Sequence, residues 1–375
     1  MRTESLSTVK QVATGPAANG AAVADMKPVV RFCRTPKGAD LAHAALGHGP
    51  PLVLLPGWLG HLLERWSHPA ADRALRNLTS CHEVHWFDRL GCGLSSRLDG
   101  PPSLDCDIQQ LLCVTEASGL DRVSLVGHSL GCAAAVAFAA DYPERVSRLV
   151  LCSPFLPDCS TMSSQQFALL KQILLLDWEL GSRIMASMLV PDGDSRDLRW
   201  FSHFLRRSCG AKAAAALLDH LLSVDVLTRL PELRMPTLVI HNREDELVPP
   251  EAAEQIAALA PDVHLHALDG NDHDLFIRRS DCLVNAVLDF CAGRKMRSTV
   301  LAGESGRSLS HREREVLCHI AAGESNKRIA IELGIAVSTV ERHVTNIYSK
   351  LGARSRADAA VRAVAMNVTS SRLYA

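Results

Sequence analysis

The chain has no cysteine pair at CxxC spacing; its twelve cysteines are scattered singly along 375 residues. Several sit in apolar runs such as Leu149-Val150-Leu151-Cys152, so they read as reduced, buried thiols and not as a disulfide framework. Long hydrophobic runs are missing too. No window approaches the ~18 uninterrupted apolar residues a membrane span needs, and Met1-Arg2-Thr3-Glu4-Ser5 opens without the apolar stretch of a secretory signal. These absences lead to the expectation of a cytoplasmic protein that makes no membrane contact. No motif calls for a metal or a cofactor. Net charge is almost absent, with 40 Lys+Arg against 41 Asp+Glu, but it is unevenly spread. Residues 304–375 carry eleven Lys/Arg against seven Asp/Glu, leaving an acidic excess of five before them. A basic excess confined to the tail fits a terminal phosphate-contacting domain better than a chain that binds nucleic acid throughout.

With 47% hydrophobic residues and a mean hydropathy of +0.06, the chain can bury one large core and keep length for a small second domain. Residues 1–27 are rich in Ala, Gly, Thr and Ser without periodicity and read as a loose leader. Beyond them, apolar runs at Leu52–Leu55, His82–Phe87, Val123–Val126, Leu149–Cys152, Leu238–His241 and Val263–Leu268 alternate with helical stretches. That alternation argues a mostly parallel sheet covered on both faces, hence an α/β class. From about 155 to 231 strand signals stop, and Phe167–Leu176, Leu180–Leu189 and Ala213–Leu227 read as apolar helices that would form a lid. Residues 294–308 are polar and turn-prone, a linker between domains at 28–293 and 309–368.

One strand, Val123–Val126, runs directly into Gly127-His128-Ser129-Leu130-Gly131 and then an Ala-rich helix. A serine at such a strand–turn–helix junction has its hydroxyl pushed out of the sheet, with flanking glycines removing the side chains that would clash. Such a serine needs a histidine to take its proton and a carboxylate to orient the histidine. Two later loops offer them at the carboxyl ends of strands: Asn242-Arg243-Glu244-Asp245-Glu246 and Asp269-Gly270-Asn271-Asp272-His273-Asp274.

These segments resemble the alpha/beta-hydrolase family over about residues 28–293. Phe87-Asp88-Arg89-Leu90-Gly91-Cys92-Gly93-Leu94-Ser95 is similar to the family's loop after the fourth strand, and Tyr142-Pro143-Glu144-Arg145-Val146 to its turn after the elbow helix. The resemblance implies Ser129 as nucleophile, His273 as general base and then acid, and Asp245 as orienting carboxylate. Glu244 and Glu246 flank that aspartate, and Asp272 and Asp274 flank the histidine, but Asp245 lies three residues after the turn position where the family pattern expects it. Asn242 occupies that turn position in place of glycine. The oxyanion donors are expected at the backbone N–H groups of Leu130 and Trp58, the latter in Pro56-Gly57-Trp58, which resembles the family's His-Gly-X turn with proline for histidine. The Trp58 indole either lines the pocket or packs beneath the lid. Serine as nucleophile leaves ester, lactone, thioester or C–C bond hydrolysis, with the apolar lid pointing to a small apolar ligand or substrate.

The tail reads as a small all-α unit. Ser310 and Glu313 form a capping box for a first helix ended by Gly323, and Ser325 caps a second over Asn326–Leu333. A third helix over Ser338–Leu351 buries Val340, Val344, Ile347 and Leu351 and leaves a face of Ser338, Glu341, Arg342, Thr345 and Asn346. This is a helix-turn-helix pattern, in which Arg342 can read guanine and Asn346 adenine, with Lys327 and Lys350 set for phosphates. Leu309–Ala365 resembles the LuxR-type DNA-binding domain, through Ser325-Asn326-Lys327, Thr339-Val340, His343, Asn346-Ile347 and Lys350-Leu351. Ala336 stands where that family places a capping serine. The resemblance implies a fourth helix, Arg356–Met366, pairing two protomers on a two-fold-symmetric promoter site, with RNA polymerase as a further partner.

The whole is expected to be a transcription regulator whose hydrolase domain binds, and in one version hydrolyses, a small ligand. The competing reading is a working hydrolase with an auxiliary DNA-binding tail. A third version is ligand binding without turnover.

Overall fold

The computed structural model describes residues 28–294, 296, 311–333, 335–351, 353 and 355–365. The leader over 1–27, Ser310 and nearly all of the linker over 294–308 lie outside the described residues. Eight strands form one sheet: β1 Val29–Arg34, β2 Asp40–Gly47, β3 Pro51–Leu55, β4 Glu83–Phe87, β5 Val123–His128, β6 Val146–Cys152, β7 Thr237–Asn242 and β8 Val263–Leu268. Their order is β1-β2-β4-β3-β5-β6-β7-β8; β2 pairs antiparallel with β1 and β4, and every other pairing is parallel. The six strands legible in the sequence are all present, with ends moved by up to three residues. Strands β1 and β2 escaped the sequence reading. Strand β1 is an edge strand with Val29 and Phe32 exposed, and β2 is rich in alanine, so neither shows the continuous apolar run of a buried strand.

Helices α1 (Pro69–Thr79), α2 (Leu104–Ala117), α3 (Leu130–Asp141), α8 (Glu251–Leu259), α9 (Leu275–Arg278) and α10 (Ser280–Cys291) surround this sheet. Alternation along the strands divides the core. Val53, Leu55, Leu125, Leu149 and Leu151 pack with α2, α3 and α8, while Leu52, Leu54, Val126 and Val150 pack with α1 and α10. Helix α3 is buried from Leu130 to Ala139, and its run of alanines and glycine is what lets a helix lie that close to the strands.

Between β6 and β7 lie four inserted helices: α4 Ser164–Leu176, α5 Trp178–Leu189, α6 Ser195–Ser208 and α7 Ala211–Ser223. The sequence reading found three of them. It missed α6, whose SRDLRWFSHFLRRS sequence is so charged that its fully buried apolar residues are Phe201, Phe204 and Leu205, with Leu198 and Trp200 half-buried beside them; Asp194 caps it by accepting from the Arg196 and Asp197 amides. The expected third helix also ends earlier than read, at Ser223, with a 3₁₀ turn following at Leu227–Glu232.

After the linker come α11 His311–Ala321, α12 Asn326–Glu332, α13 Val337–Leu351 and α14 Arg356–Ala365. They share a core of Val316, Leu317, Ile320, Ile329, Val340, Ile347 and Ala363. Gly323, at φ +80°, closes the turn after α11 by donating to Ile320 O.

Burial shapes the pH response of the sheet layer. His43, His61, His82, His85, His128, His241 and His266 are all held below the ordinary imidazole range, first by burial, with His43 and His128 down to about 4. Burial drives two carboxyls the other way, Asp88 to about 7 and Asp272 to about 6. From about pH 6.5 down to about pH 4 the unfolded chain thus takes up more protons, through seven histidines, than the folded chain does through two carboxyls. Stability falls as pH drops through that window. Calorimetry should give a lower melting temperature at pH 5 than at pH 7.5; an equal or higher one contradicts this balance.

Candidate functional site

Strand β5 ends at His128, and Ser129 follows at φ +50°, ψ −118°, immediately before α3. A non-glycine residue held there is strained, and the neighbouring packing holds it. A Cβ on Gly127 would stand 2.7 Å from Gly131 O, and one on Gly131 would stand 2.6 Å from Pro56 O. The two glycines therefore let strand, helix and the loop after β3 meet at backbone distance.

The loops after β7 and β8 bring the expected partners to this serine. His273 Nε2 is 2.9 Å from Ser129 Oγ, and His273 Nδ1 is 2.8 Å from Asp245 Oδ2. All three are buried. Asp245 Oδ1 accepts from the Leu247 and Val248 amides at 3.0 Å each, which fixes the carboxylate. Burial alone would raise its pKa, but the His273 charge and hydrogen bond, with His241 and the Val248 amide behind them, hold it below the usual carboxylate range. An ionised Asp245 keeps the proton on His273 Nδ1 and leaves Nε2 free to accept from Ser129.

The neighbouring acids are placed elsewhere. Glu244 and Glu246 are exposed, Asp274 pairs with Arg65 at 2.8 Å, and Asp272 faces Arg278 at 3.4 Å. Asn242, the departure from glycine, is buried and its Nδ2 donates to Asp272 O at 2.6 Å, so it ties the acid loop to the histidine loop. The histidine loop is anchored from its other side as well, His273 N and Asp274 N both donating to Leu189 O at the end of α5.

Leu130 opens α3, where first-turn N–H groups have no partner within the helix. Trp58 lies in the loop that crosses this helix end at the Pro56–Gly131 approach. Its indole packs beneath the inserted helices: Nε1 donates to Ala214 O of α7 at 3.1 Å, and the ring meets Trp178 edge-on. Beside the elbow lies a narrow cavity of about 70 Å³ walled by Gly57, Leu59, Trp66, His128, Phe204 and Phe276.

Sequence reasoning missed His128 and the Arg65–Asp274 pair. The His128 ring stands edge-on to Phe276, with its Nε2 3.4 Å from His273 O, and is neutral because it is buried beside Arg65 and His273 despite Asp274. It thereby supports the backbone of His273. Arg65 and Asp274 are 209 positions apart, and no local pattern announces such a pair.

In the four-helix tail the exposed face of α13 carries Glu341, Arg342, Thr345 and Asn346, with Thr339 half-buried and Val340 and Ile347 turned inward. Ser338 and Lys350 lie on the same helix, their side chains outside what the structure describes. Ser325 caps α12 by accepting from the Arg328 amide, Lys327 is exposed, and Asn326 Oδ1 accepts from Arg356 of α14 at 2.9 Å. Ala336 O accepts the first α13 hydrogen bonds, from Thr339 and Val340.

Comparison with known proteins agrees with this geometry. Residues 50–213 match the model of the alpha/beta hydrolase fold, and residues 307–363 match that of bacterial regulatory proteins of the luxR family. A pyrrolizixenacetamide deacetylase of Xenorhabdus hominickii is 28% identical over 59% of this chain and 83% of its own. A putative carbamate hydrolase of Azorhizobium caulinodans is 26% identical over 68% of this chain and 95% of its own. A bromoperoxidase structure from Bacillus anthracis, 18% identical, superposes with a TM-score of 0.64 over 70% of this chain and all of its own. The chain therefore joins an alpha/beta-hydrolase domain to a LuxR-type helix-turn-helix domain, a DNA-binding module. Among the described residues no helix is long and apolar enough to cross a membrane.

Proposed function

We propose that this is a cytoplasmic transcription regulator whose hydrolase domain, over 28–293, binds and turns over a small apolar carbonyl compound while its domain over 309–368 reads promoter DNA. The observation that carries the reading is the Ser129–His273–Asp245 chain, at 2.9 and 2.8 Å, in the same polypeptide as an intact helix-turn-helix. Ser129 Oγ attacks the carbonyl carbon as His273 Nε2 takes its proton, and the developing oxyanion meets the Leu130 and Trp58 N–H groups. His273 returns the proton to the leaving group, then activates the water that cleaves the acyl-enzyme. The relatives' names, a deacetylase and a carbamate hydrolase, support a carbonyl substrate of the ester or amide type.

On DNA, two protomers paired through α14, whose Val361 is exposed, address a two-fold-symmetric site and present it to RNA polymerase. Ser325, Asn326, Lys327 and Lys350 contact phosphates, while Ser338, Thr339, Glu341, Arg342, Thr345 and Asn346 face the groove. Titration of promoter fragments tests the assignment. Arg342→Ala should relax preference at one base pair at a cost of about 1–3 kcal/mol, whereas Lys350→Ala should weaken all sites alike and flatten the salt dependence. Equal effects from both undo it.

The complete triad also favours a second reading, a working hydrolase with the DNA-binding tail in an auxiliary role. Promoter occupancy measured with and without a cleavable ester separates the two. The regulator requires occupancy to change with ligand, and Ser129→Ala then shows whether binding alone suffices.

A further inference from the structure

The inserted helix α7 is wired to the loop that carries Trp58 by two separate routes. Along one, His220 of α7 stands 2.9 Å from Asp107 Oδ2 of α2, Asp107 Oδ1 pairs with Arg89, and Arg89 Nη2 donates to Pro56 O at 3.3 Å. All three side chains are buried. Gln110 braces the centre, its Nε2 3.3 Å from Asp107 Oδ1 and its Oε1 accepting from the Leu90 amide at 2.7 Å. Along the other, the Trp58 indole donates to Ala214 O of the same helix. Ala214 and His220 are six residues apart, about 9 Å along a helix axis, so one rigid element grips the loop at Pro56 and again at Trp58.

We infer that His220, Asp107, Arg89 and the Trp58 indole are positioning residues that set the oxyanion loop from the seat of α7. This rests on the reading of Ser129 as the nucleophile. A charged Arg89 in the core is tolerable only while paired, and the pairing runs through Asp107, which His220 completes. The carbonyl Arg89 holds, Pro56 O, is the atom a Cβ on Gly131 would meet first, at 2.6 Å. A shift of α7 therefore moves the loop against the first turn of α3, and the Trp58 N–H with it. Catalytic strength is then a property of how the inserted helices sit, and a ligand beneath them reaches the oxyanion hole through the protein.

His220→Leu removes the donor to Asp107, His220→Gln keeps one near the Nε2 position, and Trp58→Phe removes the indole N–H together with part of the ring that meets Trp178. Two readouts are taken on the full chain: steady-state cleavage of p-nitrophenyl butyrate, and deuterium exchange of the amides at 57–60 by mass spectrometry with β5 as internal control. His220→Leu and Trp58→Phe should lower kcat by about 10- to 100-fold with little change in KM, less than outright loss of a donor, and should speed exchange at 57–60 but not in β5. His220→Gln should restore both. Unchanged exchange at 57–60 in the folded variants overturns the inference, as does a drop in melting temperature with kcat intact. If the wild-type protein cleaves nothing, the catalytic reading fails, and the exchange measurement still decides the coupling.

Discussion

Asp245→Asn is expected to lower kcat on a p-nitrophenyl ester by about 10⁴-fold while leaving the fold intact, the loss associated with a wrong imidazole tautomer. The Asp245 carboxylate accepts from Leu247 N and Val248 N on one oxygen and faces His273 Nδ1 with the other, from which His241 Nε2 also stands 3.6 Å away. An asparagine keeping its carbonyl oxygen toward the two amides presents an NH₂ to His273. The imidazole must then accept at Nδ1 and carry its proton on Nε2, where it can no longer take one from Ser129. His273→Ala should fall at least as far. Glu244 and Glu246 cannot take over, since both are exposed. Turnover of Asp245→Asn within tenfold of wild type would show that the chain Asp245–His273–Ser129 is not what activates the serine.

Gly131→Ala is expected to cost about 10²–10³ in kcat by a different route. Its Cβ would stand 2.6 Å from Pro56 O and 2.7 Å from Leu55 O, both backbone atoms that no rotamer change can move away. Alanine is the better helix former by about 1 kcal/mol, so any destabilisation comes from the clash; overpacking of this kind costs about 1–3 kcal/mol. The loop after β3 must yield, carrying the Trp58 N–H off the oxyanion, and displacement of such a donor costs about 10²–10³ in kcat. Gly210→Ala is the control. Gly210 sits at φ −84° with nothing within 4 Å of an added Cβ, so activity and melting temperature should hold there. Native turnover by Gly131→Ala would mean that the oxyanion donors lie elsewhere.

Much of this site could be read from local sequence because each part obeys a local rule. The elbow needs its glycines, the acid and histidine loops follow strands that stand out between helical stretches, and α13 separates inward valines and isoleucine from an outward polar face at helical spacing. What stayed hidden depends on contacts between distant segments. Strand β2 is held by neighbours on both sides rather than by its own alanine-rich pattern, and α6 hides three buried apolar residues in a charged sequence. The Arg89–Asp107–His220 chain joins residues up to 131 positions apart, and Asn242 reads as a departure from pattern until its amide is seen holding Asp272 O.

Everything proposed for the hydrolase domain depends on Ser129 being an activated nucleophile. Intact-mass measurement of the purified chain after exposure to a fluorophosphonate tests it most directly. An activated Ser129 gives a single adduct, mapped to Ser129 by peptide analysis, lost in Ser129→Ala and in His273→Ala. A folded wild-type protein that gains no mass, or gains it equally without Ser129, contradicts it.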